Sequence, residues 1–247
     1  MKTATTVLSL ALLSAVAQGE DRASQDADWA SLDVNLSALK TWGTKHYTYS
    51  AREPGGKATK VLGTVSLSTE LADDAVILKD NYQMTYRGEK LSLEISHTCK
   101  QDNFLSPTRI ESKGEGSDEV ATFVATVANG KATVRPQDGR QSARDLPEGT
   151  ITIAAMMRLV TLVSRTPGKT FSYKYSLESE EMNLKGNYHL EVLTPEAITS
   201  GDRQVQCSKF KLTGGGIHPV YFWVTKNGVL QRLMMDDWKV MEFEARP

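Results

Sequence analysis

Residues 91–99 read Leu91-Ser92-Leu93-Glu94-Ile95-Ser96-His97-Thr98-Cys99, with Leu91, Leu93, Ile95, His97 and Cys99 at one parity and Ser92, Glu94, Ser96 and Thr98 at the other. Side chains of a β-strand point alternately to opposite faces, so this run describes a strand with one dry face and one wet face. The pattern recurs: Phe171, Tyr173, Tyr175 and Leu177 oppose Ser172, Lys174, Ser176 and Glu178, and Leu184, Gly186, Tyr188, Leu190 and Val192 oppose Lys185, Asn187, His189 and Glu191. One-sided burial points to antiparallel pairing, because parallel sheets are covered on both faces and read as unbroken apolar runs. Turn chemistry agrees. Asn129-Gly130 joins Ala121–Ala128 to Lys131–Val134, and Asn227-Gly228 joins Val220–Thr225 to Val229–Met235; Asn-Gly supplies the positive φ angles that tight hairpins need. Further strands are expected at Thr59–Leu71, Ala75–Arg87, Thr108–Ser112, Gln204–Thr213 and Trp238–Glu244.

One segment breaks the alternation. Ile151, Ala154, Ala155, Met157, Leu159, Val160, Leu162 and Val163 form a broad apolar helix surface, with Thr150 as a cap and Pro167-Gly168 as the stop. Only a narrow stripe, Arg158 and Thr161, is left polar, so the helix must lie against something. The apolar face of the sheet is the available partner. The expected fold is mainly β: a single strongly curved antiparallel sheet, a half-open barrel, wrapped around a central apolar helix. A short N-terminal helix is expected where Trp29, Leu32, Leu36 and Leu39 share one face after a cap at Asp28.

Near the start of the sequence, Lys2, an apolar run from Val7 to Val16, and Ala15-Val16-Ala17 together read as a secretory signal with an A-x-A cleavage pattern. The apolar run breaks at Gln18-Gly19-Glu20-Asp21, short of the roughly 18 residues a membrane span needs. No cysteine lies near the cleavage point to carry a lipid anchor. The expected organisation is residues 1–17 as signal peptide, 18–27 as a disordered linker and 28–247 as a single β-rich domain, exported to the periplasm or secreted, with no transmembrane span. The 29 basic and 30 acidic residues give a net charge of −1, a mixed surface that offers no reason to expect a nucleic-acid partner.

Chemistry-bearing motifs are scarce. There is no G-x-S-x-G elbow and no S-x-x-K, and His46, His97, His189 and His218 never stand at metal spacing. His97 and Cys99 share a strand face, but Leu91, Leu93 and Ile95 on that face place both in an apolar layer. Gly214-Gly215-Gly216 precedes no helix and reads as a loop or bulge rather than a phosphate cradle. No cofactor, metal site or catalytic residue is therefore expected, and the chain reads as a non-enzyme. Cys99 and Cys207 are the two cysteines; a disulfide between them and two buried free thiols both remain open. The aromatic set Phe171, Tyr173, Tyr175, Tyr188, Tyr221 and Trp223 is the candidate ligand-binding group, lining an apolar pocket beside the helix or else filling the core.

The run from Pro147 through the helix, Thr166-Pro167-Gly168-Lys169, the Phe171 and Tyr188 strands, Gln204–Thr213 and the Trp223 hairpin resembles a bacterial exported family of uncharacterised function. In that family a short helix and a Pro-Gly step precede a C-terminal meander whose penultimate hairpin carries a tryptophan. The family is similar in architecture to periplasmic lipoprotein-localisation carriers, whose half-open barrel holds acyl chains against a helix. The resemblance covers about the last hundred residues and carries no ligand residue across. It implies an exported protein that binds a lipid or another apolar ligand in the concavity of its sheet. The competing expectation is a protein-interaction or envelope scaffold module with a solid core and an envelope protein as partner.

Overall fold

The computed structural model describes residues 26–29, 32, 34–52, 59–86, 88–116, 122–137, 139–176, 184–200, 202–214, 218–235 and 241–245. The signal-peptide reading of residues 1–17 lies outside them.

Most of the described chain is strand. In chain order the strands are β1 (Asp26–Asp28), β2 (Gly43–Arg52), β3 (Thr59–Leu71), β4 (Val76–Tyr86), β5 (Glu89–Cys99), β6 (Pro107–Glu115), β7 (Phe123–Ala128), β8 (Lys131–Pro136), β9 (Ser142–Asp145), β10 (Thr150–Ile151), β11 (Thr170–Ser176), β12 (Leu184–Ser200), β13 (Arg203–Gly214), β14 (Val220–Thr225), β15 (Leu230–Met235) and β16 (Met241–Ala245). They form two sheets. The larger runs β16-β2-β3-β4-β5-β6-β7-β8-β9; the smaller runs β1-β11-β12-β13-β14-β15, with β10 also on β11. Every pairing is antiparallel except β1 with β11 and β10 with β11. The alternation of residues 91–99 is seen in the burial: Leu91, Ile95, His97 and Cys99 are buried and Glu94 is exposed, with Leu93 half-buried.

The expected single, strongly curved sheet is corrected. There are two sheets, neither closed nor strongly curled. The chain changes sheet three times: between β1 and β2, after β9, where residues 146–149 lead into β10, and again between β15 and β16. Alternation says which face of a strand is dry, and Asn-Gly turns say which neighbours pair. Neither says where a meander leaves one sheet for another.

The helix is also corrected. Only Ile153–Leu159 (α1) is α-helical, and its cap is Thr152, whose Oγ1 accepts from the Ala155 N–H, rather than Thr150, which belongs to β10. Arg158 is not on a wet stripe. It is fully buried along with Ala154, Ala155, Met156, Met157 and Leu159. A central apolar helix is thus replaced by a two-turn helix carrying a charge into the interior. Near the N-terminus, Asp26–Asp28 is strand rather than linker or cap, and the helical turn is a 3-10 segment at Leu36–Thr41, with Asn35 accepting from the Ser37 N–H.

One hydrophobic cluster holds the two sheets together. It includes Tyr47, Leu67, Leu78, Ile110 and Val134 from the larger sheet, Phe171, Tyr188, Leu190, Phe210 and Phe222 from the smaller, and Met156 and Leu159 from α1. In β12 the ladder to β13 shifts between Leu193 and Glu196, where Pro195 has no N–H to give to its neighbour.

Candidate functional site

β4 presents Val76, Leu78, Asp80, Tyr82 and Met84 at one parity, so Asp80 sits on the dry face of the strand. α1 brings Arg158 to it. Arg158 Nη2 lies 2.6 Å from Asp80 Oδ1, with side chains 0% and 1% exposed. The guanidinium is then spent on protein acceptors: Nε donates to Thr69 Oγ1 at 3.2 Å, Nη1 to the Ala154 carbonyl at 3.2 Å, and Nη2 to the carbonyls of Ser68 at 2.9 Å and Lys79 at 3.3 Å. The Trp42 ring stacks on it, 5.1 Å from centroid to Cζ. Burial, helped by the Asp80 charge and opposed by the Arg158 charge, pushes the Tyr47 phenol far above its ordinary range, so it stays neutral. A buried arginine with its donors committed in this way has little left for an incoming anion. The cluster pins α1 to β3 and β4.

The structure divides the aromatic set predicted to bind ligand. Phe171, Tyr173 and Tyr188 are in the main core, at most 5% exposed, packed with Trp29: its ring is 6.0 Å from Phe171 and 5.3 Å from Tyr173, both edge-on. Burial pushes the Tyr188 phenol up to about 12. Tyr221 and Trp223 point to the opposite face of the same sheet, because Val220, Phe222 and Val224 take the inner parity. There Trp223 packs with Ile198 and Cys207, under Lys209 Nζ at 5.1 Å and the Arg232 guanidinium at 5.8 Å, and its Nε1–H donates to Glu196. The Tyr175 side chain lies outside the described residues. Of the five whose side chains are described, three face the main core and two the opposite face of the sheet.

Cys99 and Cys207 are both free and buried. Cys99 belongs to the main core of the larger sheet and Cys207 to the outer cluster of the smaller one, so the free-thiol alternative is the one found. Burial pushes the Cys207 thiol up to about 11, with Arg232 opposing and Glu196 adding to the rise, which leaves it protonated and unreactive. His97 is fully buried beside Cys99 on the inner face. His189 is half-buried on the outer face, with Nδ1 2.9 Å from Ser172 Oγ. That pair sits mid-ladder between β11 and β12, where strand N–H groups are engaged with neighbouring strands rather than gathered as an oxyanion hole.

An open depression of about 500 Å³ lies at one end of the larger sheet, where Leu62, Met84 and Leu91 are rimmed by Gln83, Lys90 and Glu115. Gly63 and Gly116 line it because nothing larger fits: an added Cβ would meet the Gln83 carbonyl oxygen at 1.9 Å and the Lys90 carbonyl oxygen at 2.0 Å. Among the described residues, no group of three or more His, Cys, Asp and Glu side chains is placed to hold a metal ion, and no helix is long and apolar enough to cross a membrane.

No family model matches the chain, and no curated protein does. Among solved structures it is similar to a β-barrel-like protein of a domain of unknown function, DUF1849, from Brucella abortus, with a TM-score of 0.52 and 13% identity over 82% of this chain and 94% of that one. The likeness is one of fold. It agrees with the sequence pattern in a mainly β architecture.

The sequence pattern gave no role to Asp80 or Glu196, placed Trp29 only on the apolar face of an N-terminal helix, and turned Arg158 the wrong way. Asp80 carried a signal, as a carboxylate at the dry parity of an alternating strand. An arginine inside an otherwise apolar helix was its natural partner.

Proposed function

We propose that this chain is an exported, non-catalytic interaction module whose core is solid, acting as a binding partner or scaffold for another protein of the cell envelope. One observation carries the reading: Phe171, Tyr173 and Tyr188, the aromatic residues best placed to line a ligand pocket, are packed in the main core, the first two edge-on to Trp29 and Tyr188 against Tyr173. An acyl chain held between helix and sheet, as in the lipoprotein-localisation carriers, would need the space that Trp29 and α1 fill. Export rests on the N-terminal sequence, Lys2 followed by Val7–Val16 and Ala15-Val16-Ala17. Native mass spectrometry of the protein purified from its own host tests the reading. The expected spectrum shows the bare chain or the chain with a protein, and a stoichiometric lipid adduct would count against it.

A second reading has its own observation. The depression around Leu62, Met84 and Leu91 is large enough for part of an apolar ligand, with Lys90 and Glu115 at its rim. It lies away from the aromatic set. On this reading a lipid adduct is seen and is lost when Met84 becomes Glu.

A further inference from the structure

The edge of β11 is shared by two short parallel strands. β10 takes the end at Lys174 and Tyr175, and β1 takes the other with Asp26 opposite Thr170, Ala27 opposite Phe171 and Asp28 opposite Ser172. Directly after β1 the side chain of Trp29 enters the interior and is fully buried. Its slot is built from parts distant in sequence: Phe171 and Tyr173 form the wall, and the Asn103 carbonyl accepts the indole Nε1–H at 2.8 Å. Asn103 also donates from Nδ2 to the Leu32 carbonyl at 2.5 Å, closing over the segment that follows. The turn that presents Asn103 is pre-formed. Asp102 Oδ1 accepts from the N–H groups of Phe104 and Ser106, and Leu105 is held at a φ of +49°, a strained conformation for a leucine.

Three backbone registers on a sheet edge followed by a side-chain slot is the geometry of strand addition, in which main-chain pairing gives affinity and the slot gives specificity. We propose that β1 and Trp29 are a ligand docked in cis, and that the groove beneath them is a peptide-binding site. Its ligand in trans is an extended segment bearing a tryptophan immediately after the paired residues. β1 pairs with β11 at three residues, and beside it Ala27, Trp29 and Leu32 pack on the core and Asn103 bonds both Trp29 and Leu32; on its other edge β11 pairs with β12 at six, so the strap is the shorter-paired partner of the two and the one that opens first. The inference rests on the interaction reading and gives that reading a site.

The test uses the full chain, its Trp29→Ala and Trp29→Leu variants, and a labelled synthetic peptide of residues 23–32. In the native chain the tethered strap competes at high effective concentration. The peptide is therefore expected to bind Trp29→Ala at least about tenfold more tightly than the native chain. A peptide with alanine in place of its tryptophan binds neither. Trp29→Leu, which keeps apolar volume in the slot, serves in the same titration if the alanine variant does not fold. In the native chain, hydrogen exchange at residues 27–29 is expected to be faster than in β11 and β12. Equal exchange, or equal peptide affinity for native and folded variant chains, overturns the proposal. If the peptide fails while native mass spectrometry still finds a protein partner, the strap site falls and the interaction reading stands.

Discussion

At the scale of single residues, the deciding balance is the one at Arg158 and Asp80. Burying two charges costs several kcal/mol each in desolvation, recovered only when both find each other and enough hydrogen bonds. Here they do, so removing one partner strands the other. Asp80→Asn and Arg158→Met should each destabilise the fold by about 3–5 kcal/mol in urea unfolding. The double replacement Asp80→Leu with Arg158→Met should recover most of that loss; a double variant as unstable as the sum of the singles would contradict this account. The thiols give a second test. Cys99 and Cys207 should both resist a thiol reagent at pH 8 and both react after unfolding in guanidinium without reductant, whereas a disulfide would leave neither reactive. Cys207 and Tyr188 bind their protons more tightly folded than unfolded, about 11 against 9.0 and about 12 against 10.0. Their contribution to stability is intact below about pH 9 and lost as the pH rises through about 12, because the unfolded chain releases those protons first. Unfolding free energy measured from pH 8 to 12 should fall only in that upper window.

At the scale of elements, α1 is too short to hold itself in water, so its cap and its packing decide whether it exists. Thr152→Ala, which removes the acceptor of the Ala155 N–H, should cost about 1 kcal/mol, and Thr150→Ala should leave the helix cap untouched. Gly63→Ala should cost about 1–3 kcal/mol, since the new Cβ collides with the backbone of β4 rather than with a side chain that can move. Most strands were legible. Thr59–Leu71 and Val220–Thr225 match residue for residue, and Asn129-Gly130 makes its turn with φ of +51° and +73°. These features are local, written in period-two alternation and in residues that tolerate positive φ. β1, β9 and β10 were not legible, since strands of two to four residues contain too little alternation to be read. The helix stop was placed late because Val160–Val163 is apolar for a different reason: Val160 and Val163 are core residues beyond the helix, in a turn where Thr161 Oγ1 donates to the Arg158 carbonyl at 2.6 Å.

At the scale of the whole molecule, two sheets, α1 and the 3-10 segment share one main core among the described residues, and that long-range fact left little trace in the sequence. In the sequence the aromatic meander reads as core filling first, with pocket lining as the functional alternative. The difference came from Trp29, more than 140 residues away from Phe171 and Tyr173 in the chain yet edge-on to both. Trp223 was grouped with the others by proximity in sequence, but its odd parity in β14 sends it to the outer face with Cys207. The proposed solid core makes a definite statement about ligands, and titration of the full chain with a fluorescent long-chain fatty acid tests it most directly. The account predicts no saturable binding that persists in Met84→Glu, the variant that closes the open depression. Saturable one-to-one binding that survives in that variant would place an acyl chain between the sheets and contradict the account.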